Sequence, residues 1–318
     1  MRLLVTGAEG FAGSHLLQRL IEDGHDVVAS ILRKDHPCNL VHVPGDYQVH
    51  ECDLRDNQAV TTLVHEARVD AICHLAAIAF VPQALADPRR VVETNVLGTL
   101  NLLEAIRTLE SDRPRLLFVS SAEVYGIQPT EAFPLTQNTP IAPVNLYAST
   151  KAAAEVLVGQ YARAFGVESI VVRPFNHAGP RQEPCFALPS FARQIASIEH
   201  GAQPPVLSVG NLDARRDLLD VRDVARAYEA LIAEAQPGCV YNLCSGKARR
   251  IGDLLQKLLD LSTAQIEVRP DPARMRPSDI PLMVGNNQPI VSDLGWRPQI
   301  EIETTLSDIL EYARASIE

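Results

Sequence analysis

Residues 2–23 read R-L-L-V-T-G-A-E-G-F-A-G-S-H-L-L-Q-R-L-I-E-D, and this stretch decides the fold. Arg2–Thr6 is a short apolar run of strand character. Gly7, Gly10 and Gly13 follow, and Ser14–Asp23 then carries apolar residues at helical spacing. A strand, a glycine turn and a helix opening on that turn form the phosphate cradle of a dinucleotide-binding unit. Gly7 permits the tight turn, Gly10 lets the backbone approach a pyrophosphate, and Gly13 lets helix and strand pack closely. The helix start offers free N–H groups and partial positive charge to phosphates. The spacing is G-x-x-G-x-x-G, not G-x-G-x-x-G. With one leading arginine and so short an apolar run, the segment does not read as a signal peptide.

Outward from this stretch, strand and helix patterns alternate. Strands are expected near Asp26–Leu32, Gln48–Cys52, Ala71–Leu75, Arg115–Ser120 and Ser169–Arg173. Helices are expected near Asn57–Glu66, as one long element around Arg90–Leu109, and from the segment of Tyr147 to Phe165. Such alternation implies an α/β fold, a doubly wound parallel (Rossmann) sheet with ligands at the strands' carboxyl ends. After Arg173 the pattern loosens, and 13 of the 22 prolines lie there, which predicts a smaller, loop-rich substrate lobe. Leu218–Glu234 and Val240–Leu243 read as a further helix and strand of the sheet. The expected division is residues 1–173 with about 218–245 for the dinucleotide, and 174–217 with 246–318 for the substrate.

The 318 residues carry a net charge of −10, which argues against a nucleic-acid partner. No apolar run reaches the roughly 18–20 residues that span a bilayer. The six cysteines show no C-x-x-C spacing and fall mostly in apolar runs. Buried free thiols in a reducing cytoplasm are expected, with no metal cluster.

Chemistry enters at N-L-Y-A-S-T-K (145–151). Tyr147 and Lys151 stand four residues apart on one helix face. A phenol beside an ammonium ionises more readily, and such a tyrosine exchanges protons with a carbonyl or alcohol oxygen. The strand ending at Val119 delivers S-S-A-E-V-Y-G (120–126) to the same edge, where a serine hydroxyl can bond the same substrate oxygen. At the end of the second strand, Ser30–Lys34 holds no acid and two cations, Arg33 and Lys34. An acid there would bond a ribose 2′-hydroxyl and repel a 2′-phosphate, so NADP(H) is favoured over NAD(H).

Together, T-G-A-E-G-F-A-G (6–13), H-L-A-A (74–77), S-S-A-E-V-Y-G, Y-x-x-x-K and R-P-F-N (173–176) resemble the extended short-chain dehydrogenase/reductase family acting on nucleotide sugars. The resemblance covers essentially the whole chain. It implies a catalytic triad of Ser121, Tyr147 and Lys151, with Ser120 bonding locally. It implies cofactor contacts from Gly7, Gly10, Phe11 and Gly13, from Arg33, from Asp53 and Leu54 in C-D-L, from Leu75, Ala76 and Ala77, and from Tyr147 and Lys151. F-N-H-A-G-P (175–180), V-G-N-L-D-A-R-R-D-L-L-D-V (209–221), Y-N-L-C-S-G (241–246) and M-R-P-S-D (275–279) are similar to the GDP-mannose-derived branch. That likeness implies a GDP-sugar substrate held by Asn176, Arg216 and Arg276, the arginines on its pyrophosphate. Guanidinium forks suit phosphate oxygens.

The implied activity is reduction of the C4 ketone of GDP-4-keto-6-deoxy-D-mannose to GDP-D-rhamnose or its C4 epimer. GDP-mannose 4,6-dehydration, or another nucleotide-sugar epimerase or dehydratase activity, is the alternative. Glu123 keeps it open, because in the dehydratases a glutamate there is the acid–base of water elimination. A protein that only senses the cofactor is a different class of function, but such proteins lack the Tyr or the Lys. By the same resemblance a homodimer is expected, pairing the helices near 90–109 and 147–165 through Val92, Val96, Leu100, Leu103, Val156 and Val158. Trp296 is expected to pack the last lobe, and His177 to line the pocket or serve as a structural histidine.

Overall fold

The computed structural model describes residues 1–33, 35, 38–275 and 280–317. Its centre is a sheet of seven parallel strands: β1 (Arg2–Thr6), β2 (Asp26–Ile31), β3 (Gln48–Glu51), β4 (Ala71–His74), β5 (Arg115–Val119), β6 (Ser169–Pro174) and, after an excursion, β10 (Val240–Leu243). Their spatial order is β3-β2-β1-β4-β5-β6-β10. Strand order therefore reverses between β1 and β4, and the crevice above that point is where such sheets bind ligands.

The strands are apolar on both faces because helices cover both. Leu3, Val5 and Leu117 meet α1 (Phe11–Glu22) and α8 (Val221–Glu234) on one side. Leu4, Ile72 and Phe118 meet α2 (Asn57–Ala67) and the helices α5 (Gly98–Arg107) and α6 (Leu146–Phe165) on the other. Leu3, Leu4 and Val5 are fully buried, each contributing about 1.5–3 kcal/mol.

Three boundaries differ from those read in the sequence. α1 begins at Phe11, so its first turn lies inside the glycine motif. The long element expected over 90–109 runs unbroken from Pro88 to Arg107, as α4 (Pro88–Val92), a π-helical turn (Glu93–Leu97) and α5, and a short α3 (Val81–Ala86) precedes it. Its π turn brings Asn95 to a buried position. Leu218–Asp220 is strand, and α8 starts at Val221, capped by Asp220, whose carboxylate accepts the Arg222 N–H at 2.8 Å.

The remaining chain forms β7 (Asn176–Ala178), α7 (Ala187–Glu199), β8 (Val206–Val209), β9 (Arg215–Asp220), β11 (Ala248–Arg250), α9 (Ile251–Asp260), β12 (Glu267–Pro270), β13 (Leu282–Met283), α10 (Gln288–Leu294) and α11 (Ile302–Ala315). β9 pairs with β7, β11 and β13, and β8 pairs with β12. α7, α9 and α11 enclose a separate apolar core around Phe191, Leu254 and Leu306. Trp296 does not pack there. Together with Ile290 of α10 it joins the core of the large sheet, and its Nε1 donates to the Asp223 carbonyl of α8 at 3.2 Å. No helix among the described residues is long and apolar enough to cross a membrane.

Candidate active site

The glycine turn is set by close approach. Gly7 has φ +68°, and a Cβ there would stand 2.8 Å from Ala76 Cα. A Cβ on Gly13 would stand 2.1 Å from the Gly7 carbonyl oxygen, so only glycine lets the helix start against the strand end. At Gly10, by contrast, an added Cβ would meet only the Gly7 oxygen, at 3.2 Å, and its backbone is exposed. α1 has neither a side-chain cap nor an acid in its first turn. Its first N–H groups thus have no side-chain cap, and its dipole meets no acid within the first turn. The residues present fit a dinucleotide pyrophosphate.

Below the turn, Thr6 and the β4 exit are locked together. The His74 ring bridges the Thr6 hydroxyl (2.8 Å) and the Thr99 hydroxyl (3.0 Å). Burial, and secondarily the charge of Lys151, push its pKa down to about 3, so it stands neutral. Leu75, Ala76 and Ala77 follow, half-buried along the crevice. Beside the turn, Phe11 stacks on His177 with centroids 5.7 Å apart. His177 Nδ1 donates to the Phe175 carbonyl at 3.1 Å, and burial lowers its pKa. His177 is therefore both anchored and a wall of the crevice.

The residues expected to handle the proton converge at the end of β5 and the start of α6. Asn145 caps α6: its Oδ1 accepts the Ala148 N–H at 2.9 Å, and its Nδ2 donates to Glu123 Oε2 at 2.8 Å. One side chain thereby fixes the helix start relative to the 3₁₀ turn Ala122–Tyr125. Ser121 accepts the Glu123 N–H at 3.1 Å, and its hydroxyl lies near enough to the Tyr147 phenol to lower that group's pKa. Tyr147, Lys151 and Glu155 follow at four-residue intervals along α6.

The expectation that Lys151 eases ionisation of Tyr147 is not met. Lys151 Nζ donates to the Val119 carbonyl at 2.7 Å and lies 5.0 Å from the centre of the Phe118 ring. Burial raises the Tyr147 pKa well above the ordinary range, Glu123 raises it further, and the Ser121 hydrogen bond only partly offsets them. The ammonium sits at the strand end, not on the phenol. Burial also draws the Lys151 pKa down to about 8, against the opposing pull of Glu155. Ser120, as expected, bonds locally: its hydroxyl donates to Glu155. Glu155 in turn is gripped by the buried Arg173, with Nη2 to Oε2 at 2.6 Å.

The outlying residues are distributed as follows. Asp53 is clasped by Arg55, whose hydrogen bonds lower its pKa, and Leu54 is buried beneath it against Gly98. Arg33 is exposed and forks onto Asp35, with Nε to Oδ1 at 2.9 Å. Lys34 and Arg276 lie outside the described residues. Strand register pairs Asn176 with Leu218, so Asn176 shares one face of the small sheet with Arg216, two residues along β9.

Two positioning residues escaped the sequence reading. Asn95 accepts the Ile78 N–H (2.9 Å), and its Nδ2 donates to the Ile78 carbonyl (3.2 Å) and to Thr150 of α6 (3.0 Å). It ties the β4 exit to α6. Asp217, next to Arg216, accepts N–H groups of Ser245 (2.7 Å) and Gly246 (2.8 Å). No sequence spacing marks either, though T-N-V-L-G-T is polar within an otherwise apolar helix pattern.

The family model described as GDP-mannose 4,6 dehydratase matches residues 4–309. The chain belongs to this family. It is 38% identical to the GDP-6-deoxy-D-mannose reductase of Pseudomonas aeruginosa over 309 residues, 97% of this chain and 96% of that one. The solved structure of RMD from Pseudomonas aeruginosa, complexed with NADPH, superposes with a TM-score of 0.86 at 35% identity, covering 99% of both chains. UDP-glucose 4-epimerase from Thermus thermophilus, complexed with NAD, superposes equally well at 0.86, with 28% identity over 99% of this chain and 100% of that one. The parallel sheet and its switch point are thus those of a GDP-mannose 4,6 dehydratase family member.

Proposed function

We propose that the protein reduces the C4 ketone of GDP-4-keto-6-deoxy-D-mannose, giving GDP-D-rhamnose or its C4 epimer, with NADPH as the hydride donor. The observation that carries this reading is the 38% identity to a GDP-6-deoxy-D-mannose reductase over 97% of the chain. A reductase needs an acid at the carbonyl oxygen, and a phenol held neutral by burial and by Glu123 is one.

When bound, the dinucleotide supplies a hydride to C4. Gly7, Gly10, Phe11 and Gly13 would hold its pyrophosphate, Leu75–Ala77 would line its path, and Asp53 and Leu54 would border its adenine. Arg33 supports NADP(H), as does the NADPH of the Pseudomonas structure. Tyr147 gives its proton to the C4 oxygen while Ser121 bonds that oxygen, and Lys151 braces the end of β5 beside them through the Val119 carbonyl. Asn176, Arg216 and Arg276 would hold the GDP-sugar in a lobe of residues 174–217 and 246–318. A homodimer belongs to this reading, through the exposed apolar residues Val92, Leu97 and Val156 of the α4–α6 surface.

GDP-mannose dehydration is the second reading, favoured by Glu123 standing beside Tyr147. Incubation separates the two. With GDP-4-keto-6-deoxy-D-mannose the protein should oxidise NADPH mole for mole, and with GDP-mannose alone it should form no keto sugar. Tyr147→Phe should lower kcat by about 10²–10⁴ with cofactor affinity kept. Glu123→Gln should change it by less than about tenfold. Keto-sugar formation from GDP-mannose without added NADPH, abolished by Glu123→Gln, would overturn the proposal in favour of dehydration.

A further inference from the structure

In sheets of this kind an acid at the end of β2 reads the ribose 2′-hydroxyl of a bound dinucleotide. Ser30–Lys34 contains none, yet the fold brings a carboxylate to that place from the glycine turn. Gly7 and Ala8 N–H both donate to the Ser30 carbonyl, at 3.0 and 3.2 Å, which fastens the turn to the end of β2. Glu9 then reaches across, and its Oε1 accepts the Leu32 N–H at 2.8 Å. Its Oε2 is enclosed and has no hydrogen-bond partner among the described residues. The Glu9 carbonyl accepts the Asn39 N–H at 3.3 Å, so its backbone is held as well. Arg33, the cation expected to grip a 2′-phosphate, is meanwhile paired with Asp35 at the surface.

We propose that Glu9 reads the ribose 2′ position and weakens the preference for a 2′-phosphate, so that the protein accepts NADH as well as NADPH. The proposal rests on the reading that the glycine turn holds a nicotinamide dinucleotide. An enclosed acceptor oxygen with no donor is satisfied by a 2′-hydroxyl, whereas a phosphate dianion there meets a like charge. Arg33 attracts the phosphate and Glu9 repels it, and the carboxylate is the less exposed of the two.

Binding of NADPH and of NADH to the full chain, followed by calorimetry, tests this without turnover. Wild type should bind the two within about a hundredfold of each other. Glu9→Gln keeps an acceptor for the Leu32 N–H and removes the charge. It should tighten NADPH by about tenfold or more and weaken NADH by a few-fold, the range expected for losing one charged partner. A wild-type preference for NADPH above about a hundredfold overturns the proposal with no variant needed. So does a folded Glu9→Gln protein whose NADPH-to-NADH ratio is unchanged, which leaves the dinucleotide reading standing. Failure of wild type to bind either cofactor removes both.

Discussion

At the scale of single residues, burial governs the ionisable groups around the crevice. His74 is drawn to about 3 and His15 to about 4, chiefly by burial, against an ordinary 6.5. Both are neutral in the fold and take up a proton on unfolding once pH is below about 6.5. The unfolded state then binds more protons, so stability is lost as pH falls from about 6.5 toward 4, by about 1.4 kcal/mol per pH unit for each histidine. His74→Gln should cost about 1–3 kcal/mol near neutrality, since the bridge between Thr6 and Thr99 is lost. It should also remove one histidine's share of the acid loss. Urea unfolding of both proteins at about pH 7 and about pH 5 measures this, and an equal acid loss in the two would show that His74 is not held neutral. The identities of Ser121, Tyr147 and Lys151 were legible as motifs. The ionisation of Tyr147 was not, because it depends on whether Lys151 Nζ points at the phenol or at the Val119 carbonyl.

At the scale of elements, the strand–turn–helix unit depends on contacts that a methyl group would break. In Gly13→Ala the new Cβ would lie 2.1 Å from the Gly7 oxygen, so the turn must open. Cofactor affinity should fall by about tenfold or more, and stability by about 1–3 kcal/mol. Gly166→Ala is the control: it ends α6 at φ +67° with nothing within 4 Å of a Cβ. Its strain should cost about 1–2 kcal/mol and leave affinity alone. Equal loss of affinity in the two variants would mean that Gly13 acts through stability and not through the cradle. Strands and helices of the first half were readable because each has a single strong period. The π turn at Glu93–Leu97 was not, since one extra residue per turn leaves the apolar pattern nearly helical.

At the scale of the whole molecule, Val92, Leu97 and Val156 are 39, 46 and 65% exposed. Light scattering at micromolar concentration should give the mass of two chains, and Val156→Asp should shift it toward one without moving the urea midpoint. A monomeric wild type would remove the dimer from the proposal. Two residues expected on that surface, Leu103 and Val158, are instead buried in the sheet's own core, because apolar character alone does not say which face a helix turns inward. The sequence by itself determined the doubly wound sheet and the glycine turn, and singled out Ser121, Tyr147 and Lys151, since local periodicity and short motifs encode them directly. Only the tertiary structure decided that Trp296 packs with the first lobe, that Asn95 joins the β4 exit to α6, and that Glu9 stands at the end of β2. Each of these joins segments distant in the chain or in different elements, and no local pattern records which side chains folding brings together.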